Sequence, residues 1–479
     1  MPRLSDVPVR SMPAERFGRV LDPVGYAALL AVRERADRLL AGSAVWCVNS
    51  TAHGGGVAEM LRSLLAYARG AGIDTRWSVL NGDPAFFDIT KRLHNRLHGA
   101  AGDGGSLGAD EHAHYEDVTA AGAEALLARL GPDDTVILHD PQTVGMAPRL
   151  ARAGVPVVWR LHVGADRDCD LARAARAFLL PYVRAADRYV VSRPRFAWPE
   201  LDPGRAVVVM PSIDPFSPKN QMLADDAVDA ILGVAGLVEG PVAAEPAFRR
   251  EDGTAALVHR AATVVQDTPI ARDGRFVAQI SRWDRLKDPV GVLHGFARAA
   301  DAWEDAHLVL AGPRAGAVAD DPEADATLAE VIAARSSLPT SLRARIHLAT
   351  LPVEDEDENA AIVNAIQRRA AVVVQKSLAE GFGLTVTEAM WKGKPLVVSH
   401  VGGIQDQIAD GEDGLAIDPR DLDAFGAAVG GLLGDPGRAA RLGAAARERV
   451  RARFLQPRQL AQWVEILGAL RERPAQPAS

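Results

Sequence analysis

The stretch Ser377-Leu-Ala-Glu380-Gly-Phe-Gly383-Leu-Thr-Val-Thr-Glu388-Ala-Met-Trp-Lys-Gly393-Lys-Pro395 decides how this chain folds. It follows Ala371-Val-Val-Val374, an apolar, β-branched run that reads as a buried parallel strand. A loop with Gly381 and Gly383 comes next, then a helix expected to start at Thr385 and stop near Gly393. Strand, glycine loop and helix start together make an anion site. The free backbone N–H groups and the positive end of the helix dipole face whatever lies above the strand, and the glycines let a ligand approach the backbone closely. Thr385 and Glu388 also fit a capping box, in which the carboxylate only serves a helix-start N–H. Capping does not explain Glu380, which lies in the loop.

The same unit occurs near the other end of the chain. Ala44-Val-Trp-Cys-Val48 is a compact strand that runs into Asn49-Ser-Thr-Ala-His-Gly54-Gly-Gly-Val-Ala-Glu59 and a helix through about Gly70. The loop is not the dinucleotide GxGxxG pattern and lacks its later acidic residue, which argues against a nicotinamide enzyme. A glycine triplet is costly to order. It suggests a flat surface for a bulky ligand, with a plain tight turn as the other reading. Further strands alternate with helices. Thr135-Val-Ile-Leu138 ends in His139-Asp140-Pro-Gln142, and Val155-Pro-Val-Val-Trp159 ends in Arg160-Leu-His162. Arg188–Val191 and Ala206–Met210 complete the set. Such alternation predicts a doubly wound parallel sheet, whose binding crevice lies past the carboxyl ends of the strands. Asp140, Gln142, Arg160 and His162 occupy such positions.

Met210-Pro-Ser-Ile-Asp-Pro-Phe-Ser-Pro218 reads as an interdomain boundary. Residues from about Asn220 to Ala271 read as one or two helices plus a variable loop. The second half then repeats the architecture. Arg275-Phe-Val-Ala-Gln-Ile280 ends in Ser281-Arg282-Trp-Asp-Arg-Leu-Lys287, and Asp288-Pro289 opens a helix as its cap and first residue. The acidic run Glu354-Asp-Glu-Asp-Glu358 reads as a solvated loop or helix start, since successive carboxylates cannot all face one ion. The last helix, from about Gln456 to Leu470, is amphipathic.

Bulk properties set limits on partners and setting. With 479 residues the chain is too long for one typical core, and 48% hydrophobic with 24% charged residues is ordinary globular composition. A formal charge of -8 invites neither nucleic acid nor an anionic membrane, so positive partners for an anion must be local. The two cysteines, Cys47 and Cys169, give no disulfide framework and no metal-ligand cluster. No apolar run is long enough for a membrane span and no signal-peptide pattern opens the chain, so a reducing cytoplasm is the expected setting.

Arg282 and Lys287 lie just past a strand and beside a helix start. Two basic residues in a loop are ordinarily solvated, but a doubly wound strand order can set the 281–287 loop beside the 380–388 loop. One loop then supplies charge and the other N–H groups, a diphosphate cradle that needs no metal. Magnesium is compatible with such a cradle, yet no residue set encodes a site for it.

These residues now support a resemblance. Two doubly wound halves, Ser281-Arg282 with Lys287, and Glu380 to Glu388 at E-x7-E spacing resemble the retaining GT-B glycosyltransferases of family four, over roughly residues 40–470. Further strings resemble the trehalose-forming branch, which joins glucose from a nucleoside diphosphate glucose to free glucose. They are Val48-Asn-Ser-Thr51 with Gly54–Glu59, Gly82-Asp-Pro84 with Phe86-Phe87, Thr90-Lys91 with His94-Asn95, His139-Asp-Pro-Gln142, and Trp159-Arg160 with His162. The related trehalose phosphorylases share much of this pattern.

The resemblance implies an α/β GT-B fold of two Rossmann-like domains facing a central cleft. It implies an N-terminal extension (1–40), an acceptor domain (41–215), a nucleotide-sugar domain (216–455), and a last helix and tail (456–479) returning toward the N-terminal domain. Arg282 and Lys287 would hold the diphosphate with backbone N–H groups around Leu384 and Thr385. Ser281, Gly381, Phe382 and Gly383 complete the implied donor loop, Glu380 would contact donor glucose hydroxyls, and Glu388 the ribose. Gly55 and Gly56 would line the donor phosphate and acceptor face. His162 would sit near the donor sugar, and Asp140, Gln142 and Arg160 toward the acceptor glucose. The implied partners are a sugar and a nucleotide sugar, with a second copy of the chain as a further candidate. Two departures bear on the acceptor more than on the donor: the acidic segment Val163-Gly-Ala-Asp166-Arg-Asp168 and a long 220–271 region. A phosphorylase, or a sensor that binds sugar or nucleotide without turnover, are the competing readings.

Overall fold

The computed structural model describes residues 3–52, 56–240, 243–300, 305–314 and 324–472. The chain divides into two units, Met1–Ser212 with Phe454–Ser479, and Ile213–Arg453.

In the first unit β1 (Leu4–Val7), β2 (Ala44–Asn49), β3 (Asp74–Leu80), β4 (Thr135–His139), β5 (Val157–Leu161), β6 (Arg188–Val191) and β7 (Ala206–Val208) form one sheet. Their order is β1-β3-β2-β4-β5-β6-β7. All neighbours are parallel except β1, which pairs antiparallel with β3. The β1 edge was not legible in the segment expected to be an N-terminal extension. Every residue of β2, β4 and β5 is buried, as expected of a sheet covered on both faces. At about 1.5–3 kcal/mol for each large apolar side chain taken from water, these three strands are a main source of the unit's stability. The closing helix, Gln456–Arg471, belongs to this unit. Gln456 donates to Ser63 Oγ at 2.7 Å and Arg471 to the Leu39 carbonyl at 3.1 Å.

In the second unit β10 (Thr263–Val265), β11 (Arg275–Ile280), β12 (Ala306–Pro313), β13 (Ile346–Leu351), β14 (Val372–Gln375), β15 (Leu396–Ser399) and β16 (Leu415–Ile417) form the other large sheet. Its order is β10-β13-β12-β11-β14-β15-β16, with only β10 antiparallel. The 220–271 region departs from the reading of one or two helices plus a variable loop. After the helix Asp225–Val234 it forms a hairpin of β8 (Ala247–Arg249) and β9 (Ala255–Leu257), then the edge strand β10.

The acidic run does start a helix, Glu356–Arg369, capped by Asp355, but it is not all solvated. Glu358 is 1% exposed and accepts from the His259 and Arg260 N–H groups and the Arg260 guanidinium. Asp355 takes both ends of the Arg250 fork at 2.7 and 3.0 Å. The run is the clamp that docks the hairpin.

Each sheet reverses its winding once: between β2 and β4 in the first, and between β11 and β14 in the second. At such a switch point the crossover connections run to opposite faces of the sheet, and a crevice opens outside the carboxyl ends of the two strands.

Candidate active site

In the second unit β11 and β14 are parallel neighbours, with Val277 opposite Val372 and Ala278 opposite Val373. Their outgoing loops therefore lie side by side, joined by Leu378 N–H donating to the Leu286 carbonyl at 2.7 Å. Lys287 Nζ reaches Glu380 Oε2 at 2.6 Å, with only 16% and 12% of the two side chains exposed. Ser377 Oγ lies 3.3 Å from the same oxygen. Gly383 is the N-cap of the helix Leu384–Trp391, at φ 85° and with no side-chain cap bond. No N-cap side chain therefore meets the first N–H groups of this helix. That settles the capping-box alternative. Thr385 Oγ1 donates to Gln375 Oε1 at 3.0 Å, and Glu388, 2% exposed, places Oε1 3.7 Å from Lys219 Nζ. The helix starts one residue earlier than the sequence reading placed it.

Polar groups set inside apolar strands hold this geometry. Gln279, 1% exposed at the end of β11, accepts from Lys376 N–H and donates to the Lys287 carbonyl, both at 2.8 Å. Lys376, also 1% exposed, pairs with Asp288, whose other oxygen caps the helix Pro289–Arg298 through Gly291 N–H. Gln407 donates to the Phe382 and Gly383 carbonyls. Gly402, at φ +51°, packs so closely that a Cβ would stand 1.7 Å from the Glu380 carbonyl oxygen. Sequence reasoning missed Gln279, Gln375, Lys376, Ser377 and Gln407. A glutamine within Phe276-Val-Ala-Gln-Ile280 was the available signal, since amides are rarely buried without a partner. Arg282 lies on the open side, 42% exposed, with Nη2 3.1 Å from Asp284. Ser281, Gly381 and Leu384 are half-buried beside the pair and Phe382 is buried.

In the first unit the ends of β4 and β5 collect the other cluster. His139 and Arg160 are register partners. Asp140 follows at φ 61°, its carbonyl accepting from Trp159 Nε1 at 3.1 Å and its Oδ1 from His162 N–H at 2.8 Å. Among the described residues, Asp140 and Asp288 are the only non-glycines with positive φ. Asp140 directly follows β4 and Asp288 caps the helix after the β11 loop, both at a switch point, where backbone strain tends to serve a site. His139 Nδ1 lies 3.1 Å from His162 Nε2, the rings stacked. Arg160 is fully buried and donates to Ser192 Oγ at 3.2 Å. Burial pushes the Asp140 carboxyl up to about 7, against the pull of His162 N–H and Arg160. Burial also brings Arg160 down to about 9 and, with Arg160 beside it, His139 to about 3. His162 is lowered for the same reasons. Both imidazoles are therefore neutral at pH 7. Gln142 is half-buried in the short turn that follows. Gly56 opens the helix Gly56–Gly70, whereas Gly55 lies outside the described residues.

Comparison with known proteins now bears on these two sites. Residues 47–198 match the family model described as the N-terminal domain of trehalose synthase, and residues 262–449 that of glycosyl transferases group 1. The trehalose synthase of Pyrococcus horikoshii is 33% identical over 93% of this chain and 94% of its own. That of Rubrobacter xylanophilus is 34% identical over 90% and 91%. The chain belongs to the trehalose synthase family of glycosyltransferases. Among solved structures, a UDP-forming α,α-trehalose-phosphate synthase from Burkholderia vietnamiensis superposes with a TM-score of 0.65 at 16% identity, covering 91% of this chain and 98% of that one. The fold is thus GT-B, and this glycosyltransferase acts in trehalose-related glycosyl transfer. Both crevices described above fall within the matched spans.

Proposed function

We propose that the enzyme moves glucose from a nucleoside diphosphate glucose to free glucose, forming trehalose with retention of the α configuration. The observation that carries the donor assignment is the buried Lys287–Glu380 pair set against an uncapped helix start. An ammonium has three N–H donors, and Glu380 takes one. The others, with Arg282 and the N–H groups at Leu384 and Thr385, would hold a diphosphate. Glu380 would bind donor glucose hydroxyls and Glu388 the ribose. Asp140, Gln142 and Arg160 would bind the acceptor sugar, and His162 would face the donor sugar.

Charge dictates the rest. As the anomeric C–O bond breaks, its electron pair goes to the diphosphate and the sugar carbon turns cationic. Cations and N–H groups already aimed at the departing oxygen are the largest available stabiliser. The acceptor hydroxyl attacks on the same face, and its proton passes to the departing phosphate oxygen. A double-displacement route would need a carboxylate pair about 5–5.5 Å apart across the bond. Glu380, the carboxylate in the donor loop, is instead committed to Lys287. Among the described residues no group of three or more His, Cys, Asp or Glu side chains is arranged to hold a metal ion.

The test is direct. The protein is incubated with UDP-, ADP- or GDP-glucose and a panel of free sugars, and products are identified by mass and proton NMR. An α,α-linked disaccharide made only with nucleotide sugar plus glucose is expected. Glucose release from trehalose that needs inorganic phosphate and no nucleotide would establish a phosphorylase instead. Nucleotide binding without product under any acceptor would establish a sensor.

A further inference from the structure

We propose that His139 is a positioning residue that fixes the tautomer of His162, so that His162 offers an N–H donor at Nδ1 to the sugar it faces. The proposal rests on the reading of His162 as sugar-facing given above.

The ring nitrogens can be accounted for one by one. His162 Nε2 is occupied by His139 Nδ1 at 3.1 Å, with the rings 5.4 Å apart and 12° from parallel. The two side chains are 2% and 8% exposed. One of the two facing nitrogens carries the proton and the other accepts it. If His139 Nδ1–H donates, His139 Nε2 is a bare lone pair and His162 carries its proton on Nδ1. If the reverse holds, His139 Nε2 becomes a buried N–H and His162 Nδ1 a bare acceptor.

The surroundings choose between these. His139 Nε2 is buried with no hydrogen-bond partner among the described residues, and so are Nε and Nη1 of Arg160. His139 and Arg160 are register partners on adjacent strands, so their side chains leave the same face of the sheet. A guanidinium donates only and is positive. A lone pair beside it is electrostatically favourable, whereas another N–H would add a further unmet donor. Buried N–H groups without acceptors are the rarer defect in folded proteins. Both imidazoles therefore carry their proton on Nδ1. Burial and the Arg160 charge keep both rings neutral, so the donor adds no positive charge beside a sugar carbon that itself turns cationic.

Imidazole ¹⁵N NMR on the full chain, with His139 and His162 assigned by substitution, reads the tautomers of the ligand-free enzyme. Unprotonated-type shifts at His162 Nε2 and at His139 Nε2 are expected, and a protonated His162 Nε2 overturns the proposal. The functional arm compares two variants. His139→Asn keeps an amide N–H near the position of Nδ1, and His139→Leu does not. The Leu variant should lose roughly 10- to 100-fold in kcat/KM, the scale seen when the hydrogen-bond partner of a metal-bound histidine is removed, and His162 should become a mixture of tautomers. The Asn variant should stay within about threefold of the parent. Equal losses in both, or an unmoved His162 tautomer in the Leu variant, would sink the proposal. If the Leu variant fails to fold, the tautomer of the parent enzyme still decides. Full activity in His162→Ala would instead remove the sugar-facing reading, whatever the tautomer.

Discussion

Each unit carries a histidine pair with a buried arginine, but at opposite ends of its sheet, the first pair buried and the second half-buried at His307. In the first unit His139 and His162 stand at the carboxyl ends of β4 and β5 with Arg160. In the second, His307 and His347 are the second residues of β12 and β13, at the amino ends, with Arg335 nearby. The amino-end set is complete. His307 Nδ1 meets His347 Nε2 at 2.9 Å, His347 Nδ1 meets Gln266 Oε1 at 2.8 Å, and Arg335 bonds the Ile346 and Arg343 carbonyls and Asp267. The carboxyl-end set is incomplete, with His139 Nε2 and Arg160 Nε and Nη1 unmatched among the described residues. Identical chemistry is closed where it serves only the fold. It stays open at the switch point, where an unmet polar group is kept at a cost in stability.

The largest way to break this contrast lies at the other carboxyl-end site. Lys287→Ala should lower kcat/KM by about a thousandfold or more, roughly 4 kcal/mol of transition-state stabilisation. The fold should survive, because the pair lies at a loop rim and outside the strand cores. Steady-state kinetics with nucleotide sugar, checked by circular dichroism, measures it. Near-normal turnover would remove the donor assignment.

At the amino end the outcome should invert. His347→Leu leaves the half-buried His307 Nδ1 and Gln266 Oε1 without their partner and should cost about 1–2 kcal/mol in urea unfolding. Its kcat/KM per folded molecule should stay within about twofold of the parent, the scale of change allowed a residue remote from the site. A large kinetic loss would mean that the amino-end pair is coupled to chemistry after all.

What the sequence disclosed follows the same division. Backbone logic was legible: apolar runs at 135–138, 275–280 and 371–374 became β4, β11 and β14, and Asp288-Pro289 opened its helix as expected. The adjacency of the 281–287 and 380–388 loops was legible as a possibility of doubly wound order, and the β11–β14 pairing realises it. The edge strands β1 and β10 were not, because short strands leave too few residues for a period-2 pattern. Nor were Lys376, Gln279 and His139. Each acts on a residue far away in sequence, such as Asp288 for Lys376, and only the sheet order brings those partners together. Glu358 misled because a carboxylate in an acidic run looks solvated until Arg260 arrives from the hairpin.

Titration offers a finer test. His139 is depressed to about 3, so its contribution is complete above the ordinary histidine pKa near 6.5 and is lost as pH falls. Asp140 is raised to about 7, so its contribution is complete below about 4 and is lost as pH rises toward 7. Between pH 4 and 6.5 the unfolded chain holds one more proton at each of His139 and His162 and one fewer at Asp140, so Asp140 offsets one of the two histidine slopes. Asp140→Asn should remove that offset. The stability of the first unit would then climb with pH by about 1.4 kcal/mol per unit more than in the parent. Hydrogen exchange of β4 and β5 amides at pH 5 and 6 reads this locally. An unchanged slope would mean that Asp140 is not held neutral in the ligand-free fold.

The smallest effect should come from Glu388, which shares features of both kinds of site. It stands past β14 in the helix Leu384–Trp391, yet it is 2% exposed with Lys219 Nζ 3.7 Å from its Oε1. Glu388→Gln preserves shape and one acceptor oxygen but removes the charge. If the carboxylate binds ribose hydroxyls, donor KM should rise about three- to tenfold, the scale of one weakened charge-assisted hydrogen bond. Acceptor KM and kcat should change little, because a ribose contact is equal in ground and transition states. If it only anchors Lys219, the urea midpoint should fall and all kinetic constants should hold. Measuring both on one preparation decides whether Glu388 belongs with Lys287 among the open groups or with His347 among the closed ones.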